Sequence, residues 1–425
     1  MIRKLLRSEL IKNSFVFTTA NIINAAIPFL LLPILTRYLS PSDYAIVSIL
    51  QISVSISIIL IGLNTHGAIN VNYFKISQEN LKKYVGSIFT ILVFSFLLVL
   101  LSVFAAKNLL SDLLQVPGNW MLIVVIIGFF QFITTSNLVI WQAEKKSIPY
   151  GILQIAQTIL NITFSIFFVV ALHLNWRGQI LGILIATTTI ALISLFILYK
   201  KGYLNINKNK EYIIDALKFG VPLIPHSIGN WVMTYIDRFF IIQIVSLAAA
   251  GLYSAGYQFG MIVGLIALSF NRAWVPYLYE RLKKDDYASK KSIVKITYLF
   301  FFGITMLAIF VSLISPWLVH TFVSKEFWGS IVYIPWIAFG YAFMGMYYMV
   351  TNYIFFIQKT YILAWVTFSS AIVNIILNYI LINRYGAVGA AQATFITNLV
   401  FFIAVWILSS RIYKMPWNPM HAFKA

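Results

Sequence analysis

Long apolar runs, separated by short polar stretches, set the rhythm of this chain. A helix that crosses a membrane needs about 20 mainly apolar residues. Runs of that length recur near 14–37, 44–64, 83–106, 119–141, 149–173, 178–200, 213–240, 247–270, 292–315, 329–356, 361–382 and 386–410. The pattern predicts an all-α integral membrane protein with twelve spanning helices. β-Strands do not fit, because the runs are about twice the length of a barrel strand and do not alternate. The third, sixth and ninth runs are unbroken, whereas polar residues interrupt the seventh and eighth.

A repeat with an offset of about 206–207 residues divides the runs into two sets of six. Asn24 matches Asn230, Ser40 matches Ser246, and YAIVS at Tyr44–Ser48 matches AGLYS at Ala250–Ser254. Arg177 matches Arg384, and GILIAT at Gly182–Thr187 matches GAAQAT at Gly389–Thr394. Six spans return the chain to its starting side, so the halves are parallel repeats. The expected organisation is an N-terminal lobe at 1–202, a polar linker at 203–212 (YLNINKNKEY), a C-terminal lobe at 213–412 and a tail at 413–425.

Composition agrees with a lipid environment. Of 425 residues, 60% are hydrophobic and 10% charged, against about 45–50% and about 25% in soluble domains. The net charge of +19 does not indicate nucleic acid, because the basic residues cluster at span ends and not on a soluble face. With both termini inside, the inner loops hold the clusters Lys82–Lys83, Lys145–Lys146, Lys200–Lys201 and Arg281–Lys291. Only Arg37, Lys107, Arg177, Arg238, Lys325 and Arg384 fall at or near the outer side. This bias predicts cytoplasmic termini. The basic start MIRKLLRSELIKNS has no cleavage signal and reads as a retained lead-in. The chain has no Cys, which excludes thiol chemistry, and His66, His173, His226, His320 and His421 are too scattered for a metal site. No cofactor is expected, nor any enzymatic activity, since no nucleotide-binding loop or nucleophile elbow occurs.

The acidic residues locate the candidate chemistry. Of the 12 in the chain, Asp237 alone falls inside a predicted span, next to Arg238. An Asp or Arg at the bilayer centre costs about 2.5–3.5 kcal/mol, so these two are expected to face protein or a cavity. His226, Asn230, Met233, Thr234 and Asp237 share one helical face. Arg238 lies about 100° round the helix from Asp237, so it is expected to reach away from that acid into a cavity or to another helix. The structural alternative pairs Asp237 with a basic residue of a different helix. Arg37 and Arg272 stand near span ends, where they either enter the space between lobes or snorkel to the interface. A cleft holding three arginines and one acid suits an anionic cargo, since the planar fork of Arg matches phosphate.

The two six-span halves, TYIDRFFI at Thr234–Ile241, LAAAGLYSAGYQF at Leu247–Phe259 and RYGAVGAAQAT at Arg384–Thr394 resemble the polysaccharide flippases of the MOP superfamily. The resemblance implies a V-shaped pair of six-helix bundles working by alternating access. It implies a cargo of undecaprenyl-pyrophosphate-linked oligosaccharide, such as an O-antigen unit of lipopolysaccharide. That cargo would pass from the cytoplasmic to the periplasmic leaflet, coupled to H+ or Na+. On this reading Arg37, Arg238 and Arg272 meet pyrophosphate, and Asn24, Gln51, Asn230 and Gln258 meet sugar hydroxyls. Asp237 and His226 set the charge balance or carry the coupling ion. The expected working unit is a single chain in contact with membrane lipid and with other polysaccharide-assembly membrane proteins. One departure stands out: Leu31 occupies the offset position of Asp237. The rival transporter is a cation-coupled multidrug exporter, which would need more intramembrane acids. A lipid II flippase would carry two further spans. A membrane-embedded polymerase or ligase would carry a sizeable outer loop.

Overall fold

The computed structural model describes residues 29, 31–204, 209–357, 359 and 361–418. Side-chain caps set the starts of several helices. Ser40 accepts from the Asp43 amide while Asp43 reaches back to Ser40, opening α1 (Pro41–Gly62). Ser77 opens α3 (Gln78–Leu114) after the short α2 (His66–Tyr73). The N-terminal half continues through α4 (Gly118–Ala143), α5 (Ser147–Ile166) and α6 (Asn175–Lys200). Next come α7 (Lys210–Gly220) and α8 (Ile224–Ile244). Ser246 caps α9 (Leu247–Leu282) and Asp286 caps α10 (Tyr287–Phe322). The chain ends with α11 (Ile334–Phe356), α12 (Tyr361–Tyr385) and α13 (Ala387–Ile412).

No strand occurs among the described residues, and ten helices are long and apolar enough to cross a membrane: α1, α3–α6 and α9–α13. The first predicted run is described only from residue 29, with helix at 31–38. The seventh, expected as one span over 213–240, is instead broken. α7 ends at Gly220, a 3₁₀ turn covers Val221–Leu223, and α8 follows. Pro222 and Pro225 explain the break, since each lacks an amide donor and its ring clashes with the preceding turn. The segments 65–82 and 271–291, which lie between apolar runs, are largely helical, because α2 forms within one and α9 runs on to Leu282 in the other.

The chain divides into two compact units, Met1–Ile228 and Gly229–Ala425. The division falls inside α8 and not in the polar linker, because α7 lies on the first unit. Asp215 accepts from the Tyr84 hydroxyl at 2.8 Å and from Asn72 at 3.3 Å. Ala216 is fully buried there, and a Cβ at Gly220 would stand 2.1 Å from the Leu63 carbonyl.

The repeat is visible within each unit. Ser40 and Ser246 cap equivalent helices. Gly182 lets α6 approach the Ser165 backbone, and Gly389 lets α13 approach the Leu381 carbonyl. In the second unit the stripe Gly256, Gly260 and Gly264 brings α9 against Ser330, Ile337 and Tyr341, the small-residue contact that packs helices in lipid. The tail folds back on this unit: Tyr413, Met415 and Trp417 pack against the cluster of Trp274, Leu278, Leu282, Ile293, Met349 and Tyr353. Trp317 is exposed, whereas Trp176 is buried against Trp120 and Trp417 belongs to this inner cluster.

Candidate functional site

Asp237 and Arg238 sit on α8 with 3% and 4% of their surface exposed. They pair with each other, contrary to the expectation that Arg238 points elsewhere. Arg238 Nη1 donates to Asp237 Oδ1 at 2.7 Å and to the Thr234 carbonyl at 2.7 Å. The angular offset of neighbouring Cβ atoms misled because an Arg stem is long enough to fold back over its own turn. Asp237 Oδ1 also accepts from the Arg238 amide at 2.8 Å. Its other oxygen accepts from the Tyr253 hydroxyl on α9.

Aromatic rings enclose the guanidinium. It lies 3.8 Å from the Tyr257 ring centroid, 5.1 Å from Tyr253 and 5.8 Å from Tyr235. The Tyr257 and Tyr341 hydroxyls meet at 2.7 Å, joining α9 to α11. A ring face attracts a cation by its quadrupole, by about 2 kcal/mol when the cation is desolvated. The result is a neutral pair held by α8, α9 and α11, with Arg238 Nε left without a partner among the described residues. No sequence motif marks the cage, although Tyr253 and Tyr257 stand one turn apart and therefore on one helical face.

The other candidates lie apart. His226 and Asn230 are exposed on the first turns of α8, and Gln51 is exposed on α1. Arg37 is exposed in the helical segment 31–38. Gln258 is half-buried beside the cage, its Oε1 without a partner. Arg272 is exposed on the same helix as Tyr253, but roughly 28 Å farther along at about 1.5 Å per residue. The second unit therefore does not bring Arg272 to Arg238. Asn24 lies outside the described residues. Among the described residues, no group of three or more His, Cys, Asp or Glu side chains is placed to hold a metal ion.

A model of the polysaccharide biosynthesis protein family matches residues 10–281. The chain belongs to that family. An uncharacterised membrane protein of Haemophilus influenzae is 30% identical over 369 residues, covering 83% of this chain and 85% of that one. Among solved structures, an inward-facing multidrug resistance MATE transporter of the MOP superfamily aligns with a TM-score of 0.76 at 13% identity. The alignment covers 92% of this chain and 94% of the transporter. The lipid II flippase MurJ, in an inward closed conformation, aligns with a TM-score of 0.71 at 16% identity, covering 94% and 87% of the two chains. At such identities the likeness is one of fold. This family member thus has the helical membrane fold of MOP-superfamily transporters.

Proposed function

We propose that this family member flips a lipid-linked oligosaccharide, with an undecaprenyl pyrophosphate carrier, from the cytoplasmic to the periplasmic leaflet of a bacterial inner membrane. The apolar run at 14–37 and α8, added to the ten long apolar helices, would complete twelve crossings with both termini inside. Family membership supports a role in polysaccharide assembly, and the fold supports transport rather than catalysis.

The observation that carries the reading against its nearest rival is the closure of Asp237. A cation exporter needs an intramembrane acid to attract its cargo, and here that acid is already bound to Arg238 and to the Tyr253 hydroxyl. The acids on the ten long helices lie in end turns or on flanking 3₁₀ turns. The cargo-facing roles then fall to exposed Arg37, Arg272, His226, Asn230 and Gln51. Arginine forks grip pyrophosphate oxygens, and amides meet sugar hydroxyls. Asp237 and Arg238 act as a positioning pair that fixes α8 against α9 and α11. H+ or Na+ would supply the drive.

The test is deletion in the native host with complementation. Loss of surface polysaccharide, with lipid-linked units accumulating on the cytoplasmic leaflet and drug susceptibility unchanged, is the expected result. Normal polysaccharide display with raised drug susceptibility would instead identify an exporter.

A further inference from the structure

The donors of several buried amides are satisfied within the chain, although the side-chain oxygens of Gln154, Gln179 and Asn378 have no partner among the described residues. Asn352 donates to Asn271 at 2.9 Å, Asn374 to Thr397 at 3.2 Å, and Asn378 to the Asn374 carbonyl at 2.9 Å. Asn137 is different. It is 0% exposed in the last two turns of α4, and neither its Oδ1 nor its Nδ2 has a hydrogen-bond partner among the described residues. Ser194 on α6 is likewise 0% exposed, with an unpartnered hydroxyl.

Two contacts put these residues at one level. α4 and α6 run side by side, with Trp120 against Trp176 at one end and Glu144 paired to Lys201 at 2.9 Å at the other. Asn137 precedes Glu144 by the same number of residues as Ser194 precedes Lys201. Their flanking residues agree. Ile133 and Ile140 next to Asn137 share an apolar cluster with Ala191 and Leu198 next to Ser194. Trp141 and Ile190 belong to a second cluster, with Tyr150 and Leu153 of α5. The polar pair therefore lies on the seam between two apolar clusters. α5 runs antiparallel to α6, its Ser165 against Gly182. That register brings Gln154, whose buried Oε1 also lacks a partner, level with Ser194.

The chemistry of these atoms selects the occupant. An amide presents an acceptor at one end and a donor at the other, whichever way it is flipped. A metal ion satisfies acceptors alone and would repel the NH₂ group. An anion satisfies donors alone. Water does both, and a buried water characteristically makes about three hydrogen bonds to groups otherwise unsatisfied. We infer that α4, α5 and α6 enclose an ordered water bridging the Asn137 amide and the Ser194 hydroxyl, with the Gln154 carbonyl as third partner. Such a water fixes the register of the three helices where apolar packing alone would let them slide.

A structure of the purified protein at a resolution that shows solvent is expected to contain a density peak within hydrogen-bond reach of Asn137 and Ser194. A direct Asn137–Ser194 bond with no such peak would overturn the inference. Thermal melting in detergent gives a second reading through the variants Asn137→Leu, Ser194→Ala and their double. A shared water predicts that each single lowers the melting temperature by several degrees and that the double falls by clearly less than the two together. Additive losses count against it. Should Asn137→Leu fail to fold, Asn137→Ser supplies the same cycle. The melting temperature is expected to be equal in sodium and choline chloride at matched ionic strength. Sodium-specific stabilisation lost in Ser194→Ala would make the occupant a cation and refute the assignment.

Discussion

Replacing Asp237 by Asn should destabilise the second unit more than any other single isosteric change on α8. The Asp237 and Arg238 side chains are only 4% and 5% exposed, so the substitution strands a guanidinium among three tyrosine rings with no counter-charge. Breaking a buried pair by removing one partner costs about 3–5 kcal/mol. At about 2–4 °C per kcal/mol for units of this size, the melting temperature should fall by roughly 6–20 °C. Arg238→Met, which strands the acid, should cost a similar amount. The double variant Asp237→Leu/Arg238→Met removes both charges and both desolvation penalties. An apolar pair of like volume is often neutral, or stabilising by about 1–4 kcal/mol, against which stands about 1–3 kcal/mol for the Tyr253 hydroxyl left without its acceptor. The double should therefore melt near the wild type. The assay is thermal unfolding in detergent, followed by tryptophan fluorescence. Singles that melt like the wild type, or a double that loses the sum of the two, would refute the closed-pair reasoning.

Three further outcomes follow from the same geometry. Gly264→Leu should loosen the cage at a distance, because even a Cβ there would stand 2.3 Å from the Tyr341 ring; crosslinking between residues placed on α9 and α11 should fall, and unchanged yield would count against the linkage. Trp417→Ala should cost about 3 kcal/mol or less, below the range for fully buried Trp, since the half-buried indole packs on the inner cluster; an unchanged melting temperature would show the tail to be a passive appendage. Glu144→Gln should destabilise the first unit at neutral pH only. Burial raises the Glu144 carboxyl, but hydrogen bonds from Lys146 and Lys201 outweigh this and hold it below the ordinary value. A depressed carboxylate stabilises above its unfolded value, about 4.3, and loses that contribution as pH falls through its folded value. The gap between wild type and variant should close in acid, and a gap constant down to pH 3 would contradict the assignment.

The spans were legible because lipid imposes a simple length and composition rule, which ten helices meet without help from tertiary structure. The repeat was legible through Ser40 and Ser246, and through Gly182 and Gly389, because a cap and a close approach each demand a particular residue. Asp237 was legible as the exceptional acid. Its partner was not, since periodicity describes Cβ directions and cannot follow a long side chain back along its own helix. The tyrosine cage was hidden for a related reason: tyrosines are abundant, 24 in the chain, and only packing distinguishes the few that touch a cation. The break at Val221–Leu223 was signalled by Pro222 and Pro225, but hydropathy carried the reading straight across it.

The most direct test of the account is leaflet exchange in proteoliposomes holding the purified protein and a fluorescent undecaprenyl-pyrophosphate oligosaccharide. The account predicts movement of the label from one leaflet to the other that depends on the protein and slows severalfold in the Arg37→Ala/Arg272→Ala variant, while a cationic dye is not carried. Exchange no faster than in empty liposomes, alongside active export of the dye, would contradict it.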